Sequence, residues 1–317
     1  MPFALTDSGN SVYRLTQQGV VLVTVLWVLV LLSLIATNLS LGGRGFARQT
    51  LNTEQAYKAS QAADAGLVWA LWSLQQQDPY GWLADGSEHN MEIGGTEVRV
   101  SLQDESGKLD LNVLPTELLD ALIEPAMEDD SQRAALVAAI EDWRDEDDLI
   151  RLNGAEEDEY LAAGRSEGPA NQPFKEVAEL ANVLGMTVEV YRQIQPSLTV
   201  RTQARTINPT VAPFEVLMTL PNASEGIVRS YIDQRRTAWE SQLPLPELPF
   251  DGEPYVADGR SGREFSATIE AVIEPYTRVR QIVNIARGGQ VPRVERERVL
   301  LLGSNDQTER EVAGNER

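Results

Sequence analysis

Val20-Val-Leu-Val-Thr-Val-Leu-Trp-Val-Leu-Val-Leu-Leu-Ser-Leu-Ile-Ala-Thr-Asn-Leu-Ser-Leu41 contains no charged side chain. At the helical rise, about 22 such residues reach across a hydrocarbon core. Gly19 stands immediately before the run, and Met1–Gly19 forms a short polar leader. A secretory signal has a shorter apolar core and a small-x-small cleavage site, neither of which is present. A plain single-pass anchor explains the length equally well, so the residues beyond Leu41 have to decide between the two. The Lys/Arg bias does not fix orientation, because Arg14 in the leader is set against Arg44 and Arg48 beyond the apolar segment.

From Arg44 to Gln77 there is no proline, and Tyr57, Ala63, Leu67, Trp69, Ala70, Leu71 and Leu74 recur at helical spacing. The apolar helix is therefore predicted to continue as an amphipathic one, with Gly42, Gly43 and Gly45 inviting a hinge. Beyond Asp78-Pro79 the period changes. Glu97–Gln103 alternates as a half-buried strand does, and Glu264–Ile273 and Thr277–Ala286 are strand-like, with Val299–Leu302 a further candidate. Between them lies a helical region, Leu111–Arg236, followed by Leu243-Pro-Leu-Pro-Glu-Leu-Pro-Phe250, too poor in donors for a central strand. The order predicts an α+β fold in which a long N-terminal helix packs on an antiparallel sheet, with a large α-helical insertion.

Composition narrows the function. The 317-residue chain has a formal net charge of −21, which repels nucleic acid and anionic lipid. It has no cysteine, which excludes disulfides and thiolate sites, and one histidine, His89, in the turn-like run Asp85–Asn90, where an exposed loop position is expected.

Inside the helical region two segments share an outline: Leu111-Asn112…Glu117…Leu122 and Ile207-Asn208…Glu215…Leu220. Each sets a short polar residue before a helix with Glu in its first turn, an arrangement suited to capping. The second continues through Pro221–Gly226 into Ile227–Arg236, and Val177–Tyr191 repeats the outline around Gly185. This is similar to a helix-hairpin-helix motif, but Asn222, Ala223 and Ser224 stand where the phosphate-binding glycines belong, which favours a packing module over DNA binding.

The strongest candidate site is acidic. Glu141, Asp142, Asp145, Glu146, Asp147, Asp148 and Glu156–Glu159 flank the loop Leu149–Ala155, with the permissive Gly154 and only Arg144 and Arg151 opposed. Such a run is either solvated surface or a set of hard oxygen ligands for calcium, in which case Asp145, Asp147, Glu156 and Asp158 converge. The spacing is not that of an EF-hand.

Together these pieces resemble the type II secretion system protein K family, the large minor pseudopilins of Gram-negative bacteria. The resemblance covers Gln18 to about Leu302. It is carried by Gln18-Gly19 before the apolar run, Asp104-Glu-Ser-Gly-Lys-Leu-Asp-Leu-Asn112, Asp142-Trp-Arg-Asp145-Glu-Asp147, Asn153-Gly-Ala-Glu156, Glu179-Leu-Ala-Asn-Val-Leu-Gly-Met-Thr187 and Ser197-Leu-Thr-Val200. It implies cleavage after Gly19 by the prepilin peptidase and methylation of Val20, a pilin fold with an inserted α-domain, and calcium at the acidic loops. It also implies an inner-membrane protein with its C-terminal domain in the periplasm, at the tip of a pseudopilus, with two other minor pseudopilins, the major pseudopilin and the inner-membrane assembly platform as partners. Wider pilin relatives carry Glu at the fifth mature position, which here is Thr24, as is usual for protein K. The expected organisation is leader 1–19, transmembrane helix 20–41, periplasmic helix and first strand 42–110, inserted α-domain 111–203, helix-hairpin-helix-like segment and remaining strands 204–303, and tail 304–317. Two other functions compete: a membrane-anchored periplasmic hydrolase using the carboxylate cluster, which needs a pocket that separates their pKa values, and a DNA-uptake protein.

Overall fold

The computed structural model describes residues 17–76, 81–257, 262–273, 277–288 and 292–302, with the side chains of 17–20, 38–48, 298, 301 and 302 outside that description. The leader up to Thr16 and the tail from Gly303 lie outside it.

Helix α1 spans Gln17–Gln75, and its helical backbone runs through Gly42, Gly43 and Gly45, where a hinge was expected. The chain divides into two compact units between Tyr57 and Lys58. In the first unit, every described side chain from Val21 to Thr37 is exposed, among them Leu22 at 73% and Trp27 at 70%. Among the described residues no helix is long and apolar enough to cross a membrane, and the two ends of the predicted span Val20–Leu41 fall outside the described side chains.

In the second unit the sheet is five-stranded, in the order β1-β2-β5-β6-β7, with every neighbouring pair antiparallel. Its strands are β1 (Asp85–Ile93), β2 (Thr96–Asp104), β5 (Glu264–Ile273), β6 (Thr277–Ala286) and β7 (Arg293–Leu302). Val98, Val100 and Leu102 of β2 and Phe265, Ala267, Ile269 and Ala271 of β5 alternate inward, as the two-residue strand period requires. They pack on the α1 face made by Ala59, Ala62, Ala63, Leu67, Ala70 and Leu74.

This face is small-residue for a geometric reason. A Cβ at Gly66 would lie 2.9 Å from Val98 Cγ1 and 3.0 Å from Ile269 Cγ2, so the branched side chains of the sheet leave no room for a side chain at this point of the helix. Tyr57 and Trp69, read from the sequence as part of the apolar face, are instead 65% and 48% exposed. A ring at a sheet-facing position would force the layers apart, and the helical period alone does not show which side of an apolar helix meets the sheet.

β1 corrects the reading of Asp85–Asn90 as a turn and of His89 as a loop residue. Gly94 and Gly95, with φ of 59° and 78°, form the two-residue connection to β2 that twisted antiparallel strands favour. His89 is half-buried and stacked on Trp82, ring centroids 4.1 Å apart, and burial pushes its pKa down.

The helical layer occupies residues 105–263, between two strands that are sheet neighbours: Asp104 pairs with Phe265 across β2 and β5. A short parallel pair, β3 (Leu109–Asp110) and β4 (Leu198–Thr199), closes its stem. Its helices are α2 (Thr116–Ile123), α3 (Asp130–Arg144), α4 (Glu157–Ala162), α5 (Val188–Ile194), α6 (Phe214–Met218) and α7 (Glu225–Glu240). Leu118, Leu119, Ile140, Tyr160, Leu180 and Ile194 share one core with Val216, Leu217, Val228 and Tyr231 of α6 and α7, so this core extends well past residue 203.

The two expected polar caps take other roles. Pro115 and Pro213 stand at the N-caps of α2 and α6, and neither start has a side-chain cap. Asn112 instead bridges Phe174, donating to its carbonyl at 2.9 Å and accepting from its amide at 2.7 Å, while Asn208 accepts from the amide and hydroxyl of Thr210. Proline has already fixed φ for helix entry, which releases the asparagines for loop closure.

Candidate functional site

The acidic loop joins α3 to α4. Asp142, in the last turn of α3, is fully buried, and one carboxylate oxygen accepts from the Ala155 amide at 2.9 Å while the other accepts from the Arg151 guanidinium at 2.8 Å. Arg151 also pairs with Asp145 and, at 3.3 Å, with Glu141, and its hydrogen bonds to Asp145 and Asp142 push its pKa up. Gly154 is required here for space: a Cβ would collide with the Asp142 carboxylate. The left-handed residue of the loop is its neighbour Asn153, at φ 66°. The conformational device expected at Gly154 therefore sits one residue earlier.

The four residues predicted to converge are treated differently by the fold. Asp145 turns one oxygen to Arg151 and buries the other, Oδ1, without a partner. Glu156 is buried with Oε1 likewise unpartnered, and burial together with the charges of Asp142, Asp145, Asp148 and Asp147 raises its pKa to about 7. Asp147 accepts from the Leu149 amide at 2.9 Å in a local turn. Asp158 is exposed in the first turn of α4. Among the described residues no group of three or more acidic or histidine side chains is gathered as a metal site. The loop thus sets several carboxylates around one buried carboxyl, Glu156, which resists ionising, and opposes them with the Arg151 guanidinium and, at Glu141, with Arg144.

The other candidate positions lie on α1. Gly19 and Val20 are helical in backbone, with their side chains outside the described residues. Thr24 is exposed, and its hydroxyl donates to the Val21 carbonyl at 2.9 Å, so it folds back on its own helix. Farther along, Val68, Trp69 and Trp72 are 64%, 48% and 49% exposed on the face away from the sheet, the two indoles meeting edge to face at 5.4 Å.

A buried ion pair has no counterpart among the sequence expectations. Asp85 on β1 accepts from Arg235 at 3.2 Å and Arg236 at 2.8 Å, both on α7, and the Asp85 and Arg235 side chains are 0% and 1% exposed. Burial pushes the Asp85 carboxyl up, but Ser87 and the two guanidiniums more than offset it and hold it below its ordinary value. Its signal is an aspartate at a strand start and two arginines on a helix 150 residues away, which no local pattern connects.

Comparisons with known proteins agree with this architecture. Residues 101–203 match the family described as type II secretion system (T2SS), protein K. The type II secretion system protein K of Klebsiella pneumoniae is 25% identical over 203 residues, 57% of this chain and 61% of that protein. That of Pectobacterium carotovorum is 29% identical over 134 residues, 40% of this chain and 41% of that protein. The chain therefore spans about three fifths or less of the length of these relatives. A chain in the crystal structure of the GspK-GspI-GspJ complex from the enterotoxigenic Escherichia coli type 2 secretion system superposes with a TM-score of 0.53 at 19% identity, over 80% of this chain and 98% of that one. Residues 101–203 are thus similar to the type II secretion system protein K family, and the chain shares the α+β fold of the superposed chain from the GspK-GspI-GspJ complex.

Proposed function

We propose that this chain is a minor pseudopilin at the tip of the type II secretion pseudopilus, where it initiates or caps assembly for protein export and performs no catalysis. The observation that carries the reading is the helix-and-sheet unit itself. A charge-free row of exposed, mostly apolar side chains over Val21–Thr37, broken only by Thr24, Ser33 and Thr37, precedes a helix segment with one face committed to the sheet through Ala59–Leu74. Such a row needs lipid or other apolar helices around it. In this reading the prepilin peptidase cleaves after Gly19, Val20 becomes the methylated N-terminus, and residues 20–41 cross the inner membrane with the C-terminal domain in the periplasm. The partners are two other minor pseudopilins in a tip complex, the major pseudopilin and the assembly platform.

Thr24 fits a terminal position. In a helical stack, a carboxylate at the fifth mature position can neutralise the neighbouring N-terminal ammonium, and leaving such a charge unpaired among apolar groups is costly. A threonine whose hydroxyl is satisfied by its own helix brings no such counter-charge.

Calcium is proposed at the acidic loop. Glu156 Oε1 and Asp145 Oδ1 are buried acceptors without partners, which suits a hard cation, with Asp147 adjoining and Asp158 the outlying member. A bound cation would offset the burial and the carboxylate repulsion that together raise Glu156, and its role would be structural. The raised carboxyl on its own also suits a general acid, so turnover is the discriminating measurement.

N-terminal mass spectrometry of membrane-extracted protein tests the assembly reading: a mature chain beginning at methylated Val20 is expected, and one still beginning at Met1 in a host with working peptidase refutes it. Calcium titration with a thermal melt tests the loop, where stabilisation without hydrolytic turnover is expected.

A further inference from the structure

The α3–α4 loop is inside out. Leu149, Ile150 and Leu152 are 76%, 50% and 90% exposed, whereas the arginine between them, Arg151, is turned back onto Asp142, Asp145 and Glu141. Solvent exposure of three large aliphatic side chains in four residues runs against the partition that organises the rest of the helical layer. The arrangement is held from both ends. The Leu149 amide is bound by Asp147, the Asp148 carboxylate accepts from Asn171 at 2.6 Å, and the Ala155 amide is bound by Asp142. A loop fixed in this way presents its aliphatics without the ordering cost a free loop would meet on binding.

We propose that Leu149, Ile150 and Leu152 form a docking knob for a basic amphipathic segment of a partner protein. The apolar centre supplies the anchor, and the rim selects the charge. Glu146 and Asp148, which the calcium reading does not use, immediately precede the knob, both exposed, on a chain of net charge −21. An anionic membrane surface or an acidic peptide meets like charge here, whereas a segment interleaving Lys or Arg with Leu meets apolar contact and opposite charge together. Three aliphatics are an anchor cluster, smaller than a full standard interface, so the contact is expected to be short and reversible. The inference rests on the helical domain alone and holds whatever α1 packs against.

The test uses the full chain in nanodiscs of zwitterionic lipid and two labelled synthetic peptides of equal length, one alternating Lys with Leu and one alternating Glu with Leu, read by fluorescence anisotropy. The Lys/Leu peptide is expected to bind saturably and more weakly as salt rises, and the Glu/Leu peptide at least tenfold more weakly. The triple substitution Leu149→Ser, Ile150→Ser, Leu152→Ser leaves the net charge unchanged, so a loss of at least tenfold isolates the apolar knob from general attraction. Leu152→Ser alone, at the 90% exposed position, should lose severalfold and guards against misfolding of the triple variant. Unchanged binding by both variants, equal binding of the two peptides, or self-association of the chain abolished by the same substitutions without peptide binding would each overturn the proposal.

Discussion

Asp85→Ala removes the carboxylate that joins β1 to α7, and the structure fixes what is left behind. Arg235, 1% exposed, keeps one bond to the Pro209 carbonyl at 2.8 Å, and its Nε already has no partner. Arg236 is 42% exposed and can return to water. The penalty therefore comes from one buried, uncompensated guanidinium, about 3–5 kcal/mol for a pair broken by removing one member. At roughly 2–4 °C per kcal/mol for a domain of this size, the melting temperature should fall by about 10 °C. Arg235→Met should cost less, about 1–3 kcal/mol, because Asp85 retains Arg236 and the Ser87 amide. The double variant should be more stable than the sum of the single losses predicts, since it leaves no buried charge unpaired. The penalty also has a pH signature. Asp85 has a folded pKa below its unfolded 3.8, so its contribution is complete above 3.8 and disappears as pH falls through the folded value. Urea melts of the full chain in detergent, followed by tryptophan fluorescence, read this directly, because Trp239 donates to the Gly81 carbonyl at 2.8 Å beside the junction. An Asp85→Ala chain within about 0.5 kcal/mol of the parent, well under the cost of a buried unpaired charge, would refute the reasoning.

Three other sites carry outcomes of their own. Gly66→Leu should destabilise by about 1–3 kcal/mol, the usual cost of overpacking, since even a Cβ there meets Val98 at 2.9 Å; a circular-dichroism melt checks it. In chelator, stability should decline as pH rises from 4.5 to about 7, because Glu156 holds its proton in the folded chain and has lost it in the unfolded one; Glu156→Gln should flatten that slope, and calcium should reverse it by favouring the ionised form. Thr24→Glu should impair tip-complex formation and secretion by placing a carboxylate where no counter-charge is needed, and unchanged recovery of the complex by co-purification would remove Thr24 from the account.

The layers of this fold are legible in the sequence to different degrees. β2, β5 and β6 announce themselves because each has one buried and one wet face, so alternation survives in the residue order. β1 does not. Its sequence Asp-Gly-Ser-Glu-His-Asn is polar because it is an edge strand whose first residue, Asp85, is used for the Arg235 pair and whose central His89 is used for the Trp82 stack, and polar edge positions look like turn residues. The Gly94-Gly95 connection is a hairpin signal in plain view, masked by the absence of an alternating strand before it. β7 shows only its second half, Val299–Leu302, because Arg293-Val-Glu-Arg-Glu297 carries too much charge to read as sheet. At the acidic loop the residue order shows which side chains crowd together but not which oxygen lacks a partner. That depends on Arg151, whose guanidinium satisfies Asp142 and one side of Asp145 and leaves Glu156 to bear the repulsion.

Placing the helical layer between two adjacent strands has a mechanical consequence. β2 and β5 stay in register from Glu97–Val272 to Asp104–Phe265, so the sheet and its α1 segment would be complete if residues 105–263 were reduced to a short turn. The layer is nonetheless not hung on a flexible stem. Glu105 is tied to Lys108 at 2.8 Å and accepts from Ser266 at 2.6 Å, β3 and β4 close the neck, and Asp85 reaches from the first strand to the last helix of the insertion. A force or a binding event on the acidic loop is thereby carried into the sheet through charged, buried contacts at two separate points. A buried charge that loses its partner is costly, so partial opening of the Asp85–Arg235 junction is disfavoured. The Asp85–Arg235 junction is thus an ion pair at a place where apolar packing could serve stability equally well, and what it adds is a fixed pairing of the first strand with α7.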